Sequence, residues 1–448
     1  MKQVIRPLLL GIAVLAAQVV PAPASPPGLV AIRNARVVTV SGPALARATV
    51  VIRDGLIEAV SESAAPPPGA WVIEGEGLTV YPGLISALST WGIPQAPPAG
   101  GSPRGAAPPA TPQAPAQPPA RGPEDRPQTT SWLRAADEVR TTDSRLEGAR
   151  AAGFTTSVTF PTRGLIAGHG AVINLAADTA RDMVVAPSAG LYLSTQTSGG
   201  FRSFPGSLMG VIAYIRQVWI DAAYYEMVKA DYDKNPAGKK RPAYDRALEG
   251  VLEAHQHVLL PANRAAEMDR MIGFSRELKM RPVFYGGHEA YKAAEMMKQA
   301  GVPLLVNTTW PERSKEADPE VEESLQVLDL REKAPSSPAA LARAGVPFAF
   351  YAADATLPKD FIKNVRKAIE AGLKPEEAVR ALTLSPAQIF GVADRLGSID
   401  KGKIANLVVT KGDLFQEATK VQFVMIDGRK YEPAPEAAPA KPEGGSAR

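Results

Sequence analysis

Apolar residues fall along this chain in two rhythms. Near the start, within residues 28–79, they come as short β-branched runs: Val37 to Val40, Thr49 to Arg53 and Leu56 to Val60. Such runs suit strands whose side chains alternate between two faces. Asp54-Gly55 joins the last two runs. This dipeptide between apolar runs signals a hairpin, because both residues tolerate positive φ. The pattern returns at the other end. Ala405 to Val409 and Val421 to Ile426 read as strands, and Asp427-Gly428 turns the chain toward Arg429 to Tyr431. Two β-rich ends predict one composite β-sandwich, residues 25–79 plus 393–431, around an insertion.

The insertion, residues 80–392, changes rhythm. Apolar runs at Thr155 to Phe160, Val258 to Leu260, Pro282 to Tyr285, Val302 to Val306 and Val346 to Phe350 read as strands. Between them, Ala265 to Leu278, Glu289 to Ala300 and Pro358 to Ala371 carry helical spacing. Gly301 and Gly372 sit just past helix ends, where a left-handed cap favours glycine. Alternating strands and helices predict a parallel sheet, and at this length a (β/α)₈ TIM-like barrel of class α/β. Val211 to Met227 is apolar and aromatic at helical spacing, which suits core packing or a docking surface. Residues 93–127 break the rhythm with 12 of the chain's 42 prolines. They predict an extended, disordered loop, as does the Pro/Ala/Glu-rich tail 432–448.

Composition narrows the class. Hydrophobic residues make up 45% and charged residues 21%, which allows a sizeable core. The net charge is +4, and Lys2 and Arg6 carry two of those charges, so nucleic acid is not an expected partner. Residues 1–24 read as a signal peptide: a basic start, a 13-residue run from Leu8 to Val20 that is apolar but for Gln18, and Ala22-Pro23-Ala24. A periplasmic or secreted protein is expected, cleaved after Ala24, with no membrane span in the mature form. The chain has no cysteine, which excludes disulfides, zinc-thiolate sites and Cys nucleophiles.

Three stretches then bear on chemistry: Ile32 to Thr39, Tyr81-Pro82-Gly83-Leu84-Ile85, and Ala381 to Ala387 continuing through Leu396-Gly397-Ser398-Ile399 to Lys401 to Val409. Together they resemble the amidohydrolase superfamily, in its imidazolonepropionase-like branch. The resemblance covers most of residues 28–431 and implies hydrolysis of non-peptide C–N bonds at the C-terminal mouth of a barrel. It further implies a metal centre: two His from strand 1, a carboxylated Lys or Glu from strand 4, one His each from strands 5 and 6, and an Asp from strand 8. The metals would acidify a bridging water and polarise the scissile carbonyl.

Carried onto this sequence, the pattern leaves most ligand positions without donors. The strand 1 pair falls on Leu88 and Thr90, with Ser86 in place of the acid before them. The Lys position falls on Asn174, the strand 5 His near Pro261, and the strand 6 His on Gly286. The Asp falls on Ala353 or Asp354. Asp354 and His288 are therefore the catalytic candidates, each expected at a strand's C-terminal end. His169, in Gly168-His169-Gly170, joins Asn174 and Thr90 as a substrate-contacting candidate. His255-Gln256-His257 precedes its strand and is expected on the barrel floor, away from chemistry.

The leading expectation is a family member that lacks the binuclear centre and binds a small molecule. One alternative is an active hydrolase with a rebuilt mononuclear or metal-free site, where a single zinc would sit among His288, Asp354 and His169. Another is a structural subunit of an envelope complex, with the proline-rich loop as a docking peptide. A homodimer or an envelope protein is the expected macromolecular partner.

Overall fold

The computed structural model describes residues 28–94, 122–196, 204–314, 318, 320–354 and 356–433. The expected signal peptide, most of the proline-rich loop and the tail from 434 onward lie outside them.

The first five strands are β1 (Leu29–Val37), β2 (Leu45–Arg53), β3 (Leu56–Ser61), β4 (Trp71–Glu74) and β5 (Thr79–Pro82). Eight more follow in the insertion: β6 (Leu84–Ser89), β7 (Phe154–Thr159), β8 (Ile166–Asn174), β9 (Val184–Leu193), β10 (Val258–Ala262), β11 (Pro282–Gly286), β12 (Leu304–Asn307) and β13 (Phe348–Tyr351). The chain closes with β14 (Leu407–Lys411), β15 (Lys420–Ile426) and β16 (Arg429–Tyr431).

The strands from both termini form one sheet, in the order β16-β15-β14-β5-β1-β2-β3, with β4 paired to β1. The seam between the two ends is the antiparallel pair β5–β14, Val80 opposite Val409. Ile32, Ile52, Val80, Leu407 and Met425 form this domain's own core. Burying each large aliphatic side chain contributes about 1.5–3 kcal/mol. The two expected hairpin turns are present, with Asp54 and Gly55 at φ 49 and 82 and Asp427 and Gly428 at φ 51 and 73. The turns pack against each other: a Cβ on Gly428 would lie 2.8 Å from Gly55 Cα. Glycine is required there on two counts, backbone conformation and space.

The insertion forms a second sheet, ordered β6 through β13, and β13 packs back beside β6 so that the ring nearly closes. Ile85, Val158, Phe160, Leu259, Val283, Leu305 and Ala349 fill its interior, and Phe390, Val392 and Leu396 plug the floor. Helices cover the outside. Gly301 adopts the expected left-handed cap at φ 67.

One strand corrects the expected all-parallel sheet. β8 runs antiparallel to both β7 and β9. Asn174, at its C-terminal end, sits opposite Thr156 near the start of β7. The third strand therefore ends on the floor, and β9 is the fourth.

Candidate functional site

The barrel mouth is formed by the C-terminal ends of seven strands and the start of the reversed β8. At the end of β6, Leu88 faces the interior among apolar side chains. Ser89 is tied to Ser157 through hydroxyl oxygens 2.6 Å apart. Thr90 closes the strand. Its N–H donates to Asp354 Oδ1 at 3.2 Å, and Arg145 donates to its hydroxyl and its carbonyl, both at 2.8 Å. Arg145 is held in turn by Asp143 at 2.7 Å. Thr90 and Asp354 thus meet, as parts of one tethered rim.

The centre of the mouth is aromatic. Tyr192 and Tyr285 are the penultimate residues of β9 and β11, and Tyr351 ends β13. Tyr192 stacks on Tyr285 with centroids 5.1 Å apart, and Tyr351 meets Tyr285 edge-on at 6.4 Å. The Tyr285 hydroxyl donates to the Leu193 carbonyl at 2.9 Å. Burial pushes all three phenols above their usual range, and the Asp354 carboxylate adds to the rise for Tyr192 and Tyr351. They are neutral at physiological pH and poorly suited to bind a cation as phenolates.

The remaining candidates lie apart from this centre. His288 follows β11, as expected, but its ring turns outward. Its Nε2 lies 3.1 Å from the Asn307 carbonyl, its ring packs by Trp310, and its own carbonyl accepts from Ser337 at 2.9 Å. Burial holds its imidazole below the usual histidine range. His169 lies within β8. It bonds the Gly250 carbonyl at 2.7 Å, on the helix Arg246–Leu252 outside the barrel. Asn174 is corrected most. The reversed strand carries it to the floor, where Asn406 Nδ2 donates to its Oδ1 at 2.7 Å. The strand 4 position belongs instead to the end of β9, at Tyr192. His257 is on the floor as expected, with its ring against Phe390.

These residues do not fit the family's metals. Among the described residues, no three His, Asp or Glu side chains come together in a way that could hold a metal ion. The ligand positions present a leucine, a threonine, a tyrosine, a proline and a glycine. Gly286 carries a further obstacle. Its φ is 122, and a Cβ there would meet the Ala262 carbonyl oxygen at 3.1 Å. His288, Asp354 and His169 make separate contacts and do not converge. The three tyrosines were missed from sequence. Their place at or near the ends of alternate strands, where inward side chains stack in layers, was the available signal.

Beside the tyrosines a cleft of about 560 Å³ opens between Thr90, Phe160, Arg163, Thr130 and Leu133. Phe160 forms its inner wall and packs on Tyr192 at 6.1 Å.

A barrel of this order, inserted into a sheet built from both termini, defines the structural class. Comparison with known proteins gives it a family. The model of the amidohydrolase family matches residues 254–430. The structure superposes on an amidohydrolase from Thermotoga maritima with TM-score 0.72 and 25% identity, covering 90% of this chain and 100% of that one. Molinate hydrolase shares the fold, with TM-score 0.52 at 15% identity over 91% of this chain and 95% of that one. By the family model over residues 254–430 and by the fold over 90% of its length, the chain is similar to members of the amidohydrolase superfamily. Among curated relatives, adenine deaminase of Moorella thermoacetica is 46% identical over 65 residues, 14% of this chain and 10% of that protein. N-acetylglucosamine-6-phosphate deacetylase of Haemophilus influenzae is 52% identical over 48 residues, 11% of this chain and 12% of that protein. The match thus spans about a tenth of the length of these curated relatives.

Proposed function

We propose that this chain is an exported, non-hydrolytic member of the amidohydrolase superfamily that uses its barrel mouth to bind a small molecule. One observation carries the reading. The strand ends that bear metal ligands in the family's pattern hold Leu88, Tyr192, Pro261 and Gly286 here, and neutral tyrosines occupy the centre. Deamination and deacetylation, the reactions named for the matched relatives, need an activated water. Among the described residues, His169 and His288 bond main-chain carbonyls away from this centre and activate no water there. Asp354 keeps the strand 8 position, but it is engaged by the Thr90 N–H and has no imidazole beside it. The cleft next to Thr90 and Phe160 suits a ligand with an apolar body and a polar edge.

Elemental analysis and ligand screening of the purified full chain test this. Zinc and manganese well below one per chain, with no chelator-sensitive amidase activity, is the expected result. Thermal-shift screening is expected to find small molecules whose stabilisation falls at least fivefold in Phe160→Ala. A stoichiometric metal whose removal abolishes hydrolysis overturns the reading. Export is tested separately, by fractionation and N-terminal sequencing; a mature chain that starts at Met1 in the cytoplasm would refute it.

A further inference from the structure

The helix Leu208–Lys234 buries one face, through Val211, Tyr214, Ile215, Val218 and Ala222. Its opposite face is not polar. Ile220, Tyr224 and Met227 are exposed on it, and Tyr244 stands beside them on the following segment. Of these, Tyr224 and Tyr244 line a groove of about 770 Å³, walled also by Arg126, Tyr225 and Pro242. Tyr224 is 64% exposed and Tyr244 76%, large aromatic surfaces left in water. Neither hydroxyl has a hydrogen-bond partner among the described residues. The groove is rigid at its base. Arg126 bonds Asp221 at 2.7 Å and Asp245 at 3.4 Å, the Tyr225 hydroxyl donates to Glu249 at 2.8 Å, and Arg246 stacks over Trp132 at 3.8 Å.

We infer that this groove docks the chain's own proline-rich segment, residues 95–121. Exposed aromatic faces with free hydroxyls, as Tyr224 and Tyr244 present here, recognise a polyproline II strand. Proline rings pack on the faces, and the hydroxyls donate to carbonyls that proline-rich backbone leaves without N–H partners. Residues 95–121 hold nine prolines and only two charged residues, Arg104 and Arg121. Where the segment ends also favours this occupant. It rejoins the described chain at Gly122, and the turn Pro123–Asp125 leads straight into Arg126 on the groove wall. At about 3.1 Å per residue, it is long enough to lie along the groove and still connect back to Pro94. Tethering raises its local concentration over any free peptide, to the millimolar range for a short linker.

Trypsin tests the proposal on the full chain, since Arg104-Gly105 lies in the segment. In the intact protein, cleavage there is expected to be slow and independent of protein concentration. In the Tyr224→Ala/Tyr244→Ala variant it is expected to speed up at least tenfold. Both side chains are exposed, so the melting temperature should stay unchanged. Equal cleavage rates in the two proteins overturn the proposal. So does protection that vanishes on dilution, which would make a second copy the occupant. As a second readout, a peptide copying residues 95–121 should bind a variant with residues 97–119 replaced by Gly-Ser repeats at least tenfold tighter than it binds the intact chain. Equal binding to both would mean that the groove takes proline segments only from other molecules.

Discussion

His288 illustrates how a single residue can be placed correctly along the chain by sequence while its contacts stay unread. Its position after β11 was legible from the strand pattern. Its side-chain direction was not, because that depends on other elements: Asn307 at the end of β12 meets the ring, while Asn263 and Ser337 hold the main chain of His288. The result is a buried neutral imidazole, and His169 and His257 are depressed by burial in the same way. The consequence for stability has a definite sign. The unfolded chain takes up protons near pH 6.5, while these folded sites take them up only at lower pH. Stability from this source is complete above pH 6.5 and falls as pH drops below it. Melting temperature measured from pH 7.5 to 5.5 is expected to decline on the acid side. In His288→Gln that decline should be shallower. An unchanged slope would remove His288 from the account.

At the scale of elements, the outer sheet and most barrel strands could be read from the sequence, because β-branched runs and Asp-Gly turns are local signals. The reversal of β8 could not. Strand direction is set by how β7, β8 and β9 pair, and Gly168 to Asn174 has the same composition whichever way it runs. The Asn174 assignment failed for that reason alone. The Pro82-Gly83 joint between β5 and β6 shows the opposite case, where a motif has a direct physical cause. A Cβ at Gly83 would lie 2.0 Å from Thr155 Oγ1 on β7. The two strands approach so closely that only glycine fits. Gly83→Ala is expected to destabilise by about 1–3 kcal/mol in urea unfolding. Adding Thr155→Ala should recover part of the loss; strictly additive losses would show that the contact is not the cause.

Over the whole molecule, the two domains are joined by a small buried polar centre. Asn406, just before β14, donates to Asn174 at 2.7 Å and to Thr156 at 3.0 Å on the barrel floor. Its Oδ1 accepts the Asp427 N–H at 2.9 Å, and its carbonyl accepts the Gly83 N–H at 2.8 Å. Three of these bonds use its side chain and bridge both sheets. Asn406→Ala leaves Asn174 and Asp427 without their partner and is expected to cost about 2–4 kcal/mol. Intact protein should unfold in one transition seen alike by calorimetry and tryptophan fluorescence. The variant should unfold earlier by both probes; two separated transitions would mark Asn406 as the main coupling between domains.

Gly286 bears on whether a metal centre could be built into this mouth by substitution. Placing donors one by one at Leu88, Thr90 and Tyr192 asks only for new side chains on the existing backbone. A histidine at position 286 asks for a new backbone, since its φ of 122 is one that L-residues rarely adopt. A metal centre built by substitution would have to reshape the Gly286-Gly287 bend first, so the obstacle lies in the main chain and no single side-chain replacement removes it.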